Sequence, residues 1–179
     1  MAYRFIYESP ANFSSLVMES DGGFLTGLYF LDSKNERKNQ DEFIEKWIPI
    51  FAETKKWLDL YFEGIKPDFT PKYKLIAKTL FQREVLEIIK AIPFGKTITY
   101  GEIAKIIADR RGIQTMSSQA VGMAVGSNKL CLIIPCHRVV GAKGNLVGYS
   151  GGIKNKIALL ELEGNDIGAL YVPSKGNKL

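Results

Sequence analysis

Residues 92–112 read IPFGKTITYGEIAKIIADRRG, and residues 117–128 read SSQAVGMAVGSN. The first stretch is a turn marked by Pro93 and Gly95, followed by an amphipathic helix expected from about Tyr100 to Asp109. A polar break over Arg110–Met116 leads into the second stretch, where Ser117 or Ser118 can cap a short helix rich in Ala and Gly. Two helices joined by a short break, with small residues on the second, predict a helix-turn-helix. A three-helix packing element fits the same pattern.

The second helix carries a physical argument of its own. A recognition helix that reads the wide major groove presents long polar side chains. Gln119, Ala120, Val121, Gly122, Ala124 and Gly126 present little beyond Gln119. Such a surface lets the helix backbone approach closely, as a narrow minor groove demands. The same small residues also permit tight helix packing.

Working upstream, Phe81–Ile92 carries Phe81, Val85, Leu86, Ile88, Ile89 and Ile92, which predicts a buried helix ending at Pro93. Ile65–Lys74 holds Pro67 and Pro71 and reads as a connecting segment. Before it, Trp47–Phe62 repeats apolar residues at helical spacing, with Pro49 suited to the first turn and Gly64 to the stop. Tyr3–Glu8, Ser14–Glu19 and Phe24–Phe30 are short β-rich runs, and Asp21-Gly22-Gly23 is a hairpin turn between the last two. Ser33–Asp41 is expected to be a polar loop. Two domains follow: residues 1–70 as a structural α/β unit, a small antiparallel sheet plus a helix, and residues 71–179 as a mostly α unit.

Charge divides along the same line. Residues 1–70 carry a net −4 and residues 71–179 a net +9, within a chain of net +5. A basic half beside an acidic one suits contact with a polyanion, and also fits a merely solvated surface. No apolar run approaches a membrane span. The N-terminus, MAYRFIYESP, lacks the apolar core of a signal peptide, so a cytoplasmic location without membrane partners is expected. Two cysteines and one histidine build neither a disulfide framework nor a closed zinc site, so reduced thiols are expected.

That one histidine follows a cysteine within IIPCHRVV, residues 133–140. Cys131-Leu-Ile-Ile-Pro is expected to be a buried strand with Pro135 stiffening its exit. A thiol at its end can be presented into a pocket, and an imidazole with an acidic partner can take its proton. Adjacent residues on a regular strand point apart, so Cys136 and His137 need a bend or an intervening water to communicate. A buried thiol followed by an unrelated histidine is the simpler alternative.

Taken together, these motifs resemble the O6-alkylguanine-DNA alkyltransferases, also called methylated-DNA–protein-cysteine methyltransferases. Pro135-Cys136-His137-Arg138-Val139 is similar to their acceptor signature. IPFGKTITYGEIA (92–104) is similar to their Ile-Pro-x-Gly-x-Thr-x-x-Tyr region, QAVGMAVGSN (119–128) to their recognition helix and following Asn, and GYSGG (148–152) to their substrate-pocket loop. The resemblance covers about 80–165 closely and is weak upstream, where it rests on the helix ending LDLYFEG.

The resemblance implies a winged-helix-like helix-turn-helix in the second domain and direct-reversal repair of double-stranded DNA containing O6-alkylguanine, with O4-alkylthymine as a second substrate. It implies that Cys136 takes the alkyl group irreversibly, with His137 as base through a water, Glu163 orienting the imidazole and Asn128 holding the active-site turn. Tyr100 is expected to drive base extrusion and to sit near the leaving base. The Val139 carbonyl, Tyr149 hydroxyl and Ser150 amide are expected to line the guanine pocket, and Arg138 to brace the two units. DNA contacts are expected from Thr99, Tyr100, Gly101, Ser117, Ser118, Gln119, Ala120 and Gly122. No metal or organic cofactor is implied, and a monomer is expected.

Glu161 competes with Glu163 for the acidic role, and Cys131 reads as a thiol without chemistry. One departure stands out: many family members have arginine where this chain has Gln119, which is shorter and uncharged. Two further classes remain to be distinguished. An inert damage-binding relative would lack the acceptor cysteine, and a thiol hydrolase would turn over repeatedly without needing the helix-turn-helix.

Overall fold

The Asp21 carboxylate sets the first sheet. It accepts from the Gly23 and Phe24 amides at 3.1 and 2.9 Å and so closes the hairpin between β2 (Leu16–Ser20) and β3 (Leu25–Phe30). The computed structural model describes residues 1–31, 33 and 42–173, so the expected loop over Ser33–Asp41 lies, apart from Ser33, outside the described residues. Two units divide it: Met1–Ile76 with Lys129–Ile133, and Ala77–Asn128 with Ile134–Leu179.

In the first unit, β1 (Tyr3–Tyr7) pairs antiparallel with β2, and the sheet order is β3-β2-β1-β4. The edge strand β4 (Ile44–Glu45) runs parallel to β1. The predicted sheet is therefore mostly, not wholly, antiparallel, since two residues are too few to register as an alternating run. Helix α1 spans Pro49–Phe62 and buries Ile50, Phe51, Trp57, Leu58 and Tyr61 on one face. It begins after Trp47 because proline holds the preceding Ile48 extended, at φ −133° and ψ 160°.

The second unit is helical. Thr79 caps α2 (Leu80–Lys90) by accepting from the Gln82 amide. Helix α3 (Tyr100–Arg111) starts with a reciprocal capping box between Thr99 and Glu102 and stops at Gly112, in the left-handed region at φ 64°. Ser117, rather than Ser118, caps α4 (Ser118–Val125) by accepting from the Ala120 amide at 3.2 Å. Helices α2, α3 and α4 pack on one another, burying Val85, Leu86, Ile89, Ile103, Ile107 and Val121, and α3 with α4 forms the helix-turn-helix. A parallel two-residue pair joins β5 (Ile98–Thr99) to β6 (Val139–Val140), and α5 spans Ile153–Leu162. Among the described residues, no helix is long and apolar enough to cross a membrane.

The strand expected over Cys131–Pro135 does not form. Leu130 makes a single parallel bridge to Leu28, after which Leu132 takes φ 70° and breaks the pleat. The amides of Ile133 and Cys136 then bond two residues back, to the Cys131 and Ile134 carbonyls, in a run of tight turns. Pro135 has no amide hydrogen to offer a ladder. The stretch is apolar because it is buried, and burial says nothing about extension.

Candidate active site

Cys136–Arg138 form one 3-10 turn that feeds directly into β6. This turn supplies the bend that the Cys-His pair requires. Cys136 is buried, and the Asn128 side-chain amide donates both to its Sγ at 3.1 Å and to the Ile134 carbonyl at 2.8 Å. Asn128 follows the end of α4, so the helix-turn-helix and the thiol are tied through one amide. A donor aimed at sulfur stabilises the thiolate more than the thiol.

His137 is fully buried, with Nε2 2.8 Å from Glu163 Oε1. An ionised carboxylate only accepts, so Nε2 carries the hydrogen and Nδ1 is the basic nitrogen. Burial lowers the imidazole's pKa below its ordinary value, with the Glu163 hydrogen bond opposing. The ring is thus neutral at rest and able to receive a proton.

Glu163 is the organising group. Arg138 grips it in bidentate fashion, Nε to Oε2 and Nη2 to Oε1, each at 2.8 Å, and donates Nη1 to the Ile92 carbonyl at 2.6 Å. Burial would raise this carboxyl's pKa, but the hydrogen bonds from His137 and Arg138 outweigh it and hold the group well below the usual carboxylate range. The Gly95 amide adds a fourth donor at 3.2 Å. Gly95 sits at φ 73°, and a Cβ there would lie 2.8 Å from the Glu163 carbonyl oxygen, so the motif's glycine is fixed by this clasp. Glu161, the competing acid, is exposed. Arg138, expected as a brace of the two units, spends these bonds on Glu163 and Ile92 within the second unit.

The sequence reading missed Lys156. This side chain is fully buried and donates to the Val139 carbonyl at 2.7 Å and the Val147 carbonyl at 3.3 Å. Burial pushes its pKa down to about 8, with the nearby Cys136 charge opposing. The available signal was phase: on α5, Lys156 lies three residues before buried Leu159 and four before buried Leu160, so a lysine occupies the core-facing stripe. Asn155, also buried, donates to the Gly151 carbonyl at 2.7 Å and pins the loop that carries Tyr149 and Ser150.

Tyr100 opens α3, and its hydroxyl reaches the Val147 and Gly148 carbonyls at 3.4 and 3.5 Å, long bonds that leave it loosely held. Burial, and then the Cys136 charge, raise its pKa to about 12, so it stays a donor. The start of α3 meets α4: a Cβ on Gly122 would lie 3.8 Å from the Tyr100 ring, and one on Gly101 would lie 3.9 Å from Ser118 Oγ. Gly101, Ser117, Ser118 and Gln119 are exposed, while Ala120 and Gly122 are partly covered. Thr99 and Ser117 spend their hydroxyls on helix caps.

Residues 80–165 match the family model of the 6-O-methylguanine DNA methyltransferase DNA binding domain, which defines the class. A methylated-DNA–protein-cysteine methyltransferase of Methanosarcina acetivorans is 38% identical over 163 residues, covering 91% of this chain and 99% of that protein. The solved O6-methylguanine methyltransferase of Mycobacterium tuberculosis is 36% identical, with a TM-score of 0.75 over 91% of this chain and 93% of its own. A structure of the same organism's OGT in complex with DNA is 34% identical, with a TM-score of 0.74 over 90% of this chain and 91% of its own. The chain belongs to the methylated-DNA–protein-cysteine methyltransferase family.

Proposed function

We propose that this protein repairs O6-alkylguanine, and O4-alkylthymine as a second substrate, in double-stranded DNA by moving the alkyl group onto Cys136. The observation that carries this reading is one buried thiol held by Asn128 next to a neutral His137, itself clasped by Glu163, on a helix-turn-helix unit. His137 Nδ1 takes the thiol proton through a water, and Glu163 and Arg138 hold the resulting imidazolium in place. Sγ then attacks the alkyl carbon. The S–C bond forms as the C–O6 bond breaks, and the electron pair leaves on guanine O6. Tyr100, kept protonated, donates toward the departing base.

O6 is inaccessible to a protein thiol inside a duplex, so the base must leave the stack. The Val139 carbonyl, held by Lys156, together with Tyr149 and the Ser150 amide, receives it. Thr99, Tyr100, Gly101, Ser117, Ser118, Gln119, Ala120 and Gly122 form the minor-groove surface, with β5 and β6 as the root of a winged-helix-like element. Residues 1–70 serve as a structural domain and 71–179 as the DNA-binding and acceptor domain of a cytoplasmic monomer.

A thioether offers no leaving group that a neighbouring base could regenerate. Intact-protein mass after incubation with duplex containing O6-methylguanine is therefore expected to rise by one methyl group per chain, mapped to Cys136. Repeated turnover, or label on Cys131, would overturn the proposal in favour of a hydrolase or an unspecific thiol.

Gln119 fixes a second expectation. Its amide offers a donor and an acceptor to the orphaned base, but neither the charge nor the cationic stacking of an arginine. Gln119→Ala is expected to slow repair of duplex DNA while barely changing reaction with free O6-benzylguanine. Gln119→Arg is expected to bind duplex more tightly at low salt, with a log–log salt slope steeper by about one. Equal slowing on both substrates by Gln119→Ala would make Gln119 a support of the fold.

A further inference from the structure

Helix α4 turns Val121, Ala124 and Val125 inward and Ser118, Gln119 and Met123 outward. Met123 is 74% exposed on a helix that, Gln119 apart, is otherwise built from small and β-branched residues. Two of these outward positions, Gln119 and Met123, carry long side chains, and they stand four residues apart, one above the other on the same face. Gly122, next to Met123, is where the Tyr100 ring lies against the helix. Single exposed apolar side chains are ordinary on a protein surface; Met123 is set apart by its place, four residues from Gln119 on the face that the proposed function assigns to DNA.

We infer that Met123 is an apolar wedge of the duplex-opening surface, inserted in the minor groove beside Gln119, where it packs on the sugars and base edges exposed when the target nucleotide leaves the stack. The inference rests on the DNA-repair reading and adds a residue to it. Met suits the task because an unbranched thioether adapts to an irregular, partly unstacked surface. Apolar side chains that part base steps are a recurrent minor-groove device. The pairing also accounts for a neutral Gln119: the polar side chain meets the orphaned base's edge, and the methionine supplies contact area that needs no charge. Such contact releases no counterions, so it is independent of salt.

The test compares the full chain with Met123→Ala and Met123→Leu on two substrates, duplex DNA containing O6-methylguanine and free O6-benzylguanine, across a salt series. Met123→Ala is expected to slow duplex repair about tenfold, the order expected for exposing one large apolar side chain. It should leave the benzylguanine rate and the salt slope unchanged. Met123→Leu is expected to keep most of the duplex rate. A 2-aminopurine beside the lesion is expected to show weaker unstacking fluorescence with Met123→Ala. An unchanged duplex rate with Met123→Ala, a loss shared equally by both substrates, or a salt slope reduced by one would each overturn the wedge. Failure of the native chain to transfer alkyl groups at all would instead overturn the repair reading.

Discussion

Cys136→Ser is expected to abolish alkyl transfer and to leave binding to duplex DNA measurable. The replacement keeps an acceptor for the Asn128 amide, which donates to Sγ at 3.1 Å, so the turn over Cys136–Arg138 retains its bond to α4. What disappears is the proposed nucleophile. A neutral His137 can take a proton from a thiol, whereas a serine hydroxyl holds its proton far more tightly. Sulfur is also the stronger nucleophile toward an alkyl carbon. The exposed Gln119 and Ser118 are untouched, so the proposed DNA surface persists. Gel-shift and transfer assays on the same preparation check this. Residual transfer at even a hundredth of the native rate would move the acceptor away from Cys136.

Glu163→Gln carries the second large effect, on stability and rate together. The carboxylate receives His137, Nε and Nη2 of Arg138 and the Gly95 amide, and Arg138 is itself buried. Neutralising one partner of such a buried network leaves an uncompensated guanidinium, which costs about 3–5 kcal/mol. Denaturant unfolding is expected to show a loss of that order, while Glu161→Gln on the exposed side of the helix end stays within about 0.5 kcal/mol of native. Transfer is expected to slow steeply, since the imidazolium formed on His137 loses its counter-charge.

The sign of the pH dependence follows from the same clasp. Glu163's folded pKa is lowered, so its stabilisation is full above the unfolded carboxyl's pKa of about 4.3 and is lost as pH falls toward the folded value. Glu163→Gln is expected to flatten that acid limb of the stability curve. A native-like curve for Glu163→Gln beside a damaged Glu161→Gln would reverse the assignment.

Helices α1 to α4, the order of the motifs and the chemical inventory were legible in consecutive residues, whereas α5 was not read as a helix. Pro49, Thr99 with Glu102, Gly112 and Ser117 are local devices whose physics acts within one turn, so they were legible one residue at a time. The Cys-His dipeptide and the glycine of IPFG were likewise visible as residues. The pairing of His137 with Glu163 was given by the family resemblance; the convergence of Gly95 and Arg138 on the same carboxylate was not. Gly95, His137, Arg138 and Glu163 meet across as many as 68 positions, and nothing in 3.6- or 2-residue periodicity encodes which distant carboxylate arrives. Lys156 was overlooked for the same reason: a lysine is read as surface until its acceptors, the Val139 and Val147 carbonyls, are seen beside it. The run Cys131–Pro135 shows the converse. Its apolar composition reports burial, whereas its turns follow from a left-handed Leu132 and a proline without an amide hydrogen, and only the tertiary structure chose between a strand and a coil there. Local hydrogen bonds and propensities are written in consecutive residues; long-range charge pairing and the path of a buried chain are decided by what folds against it.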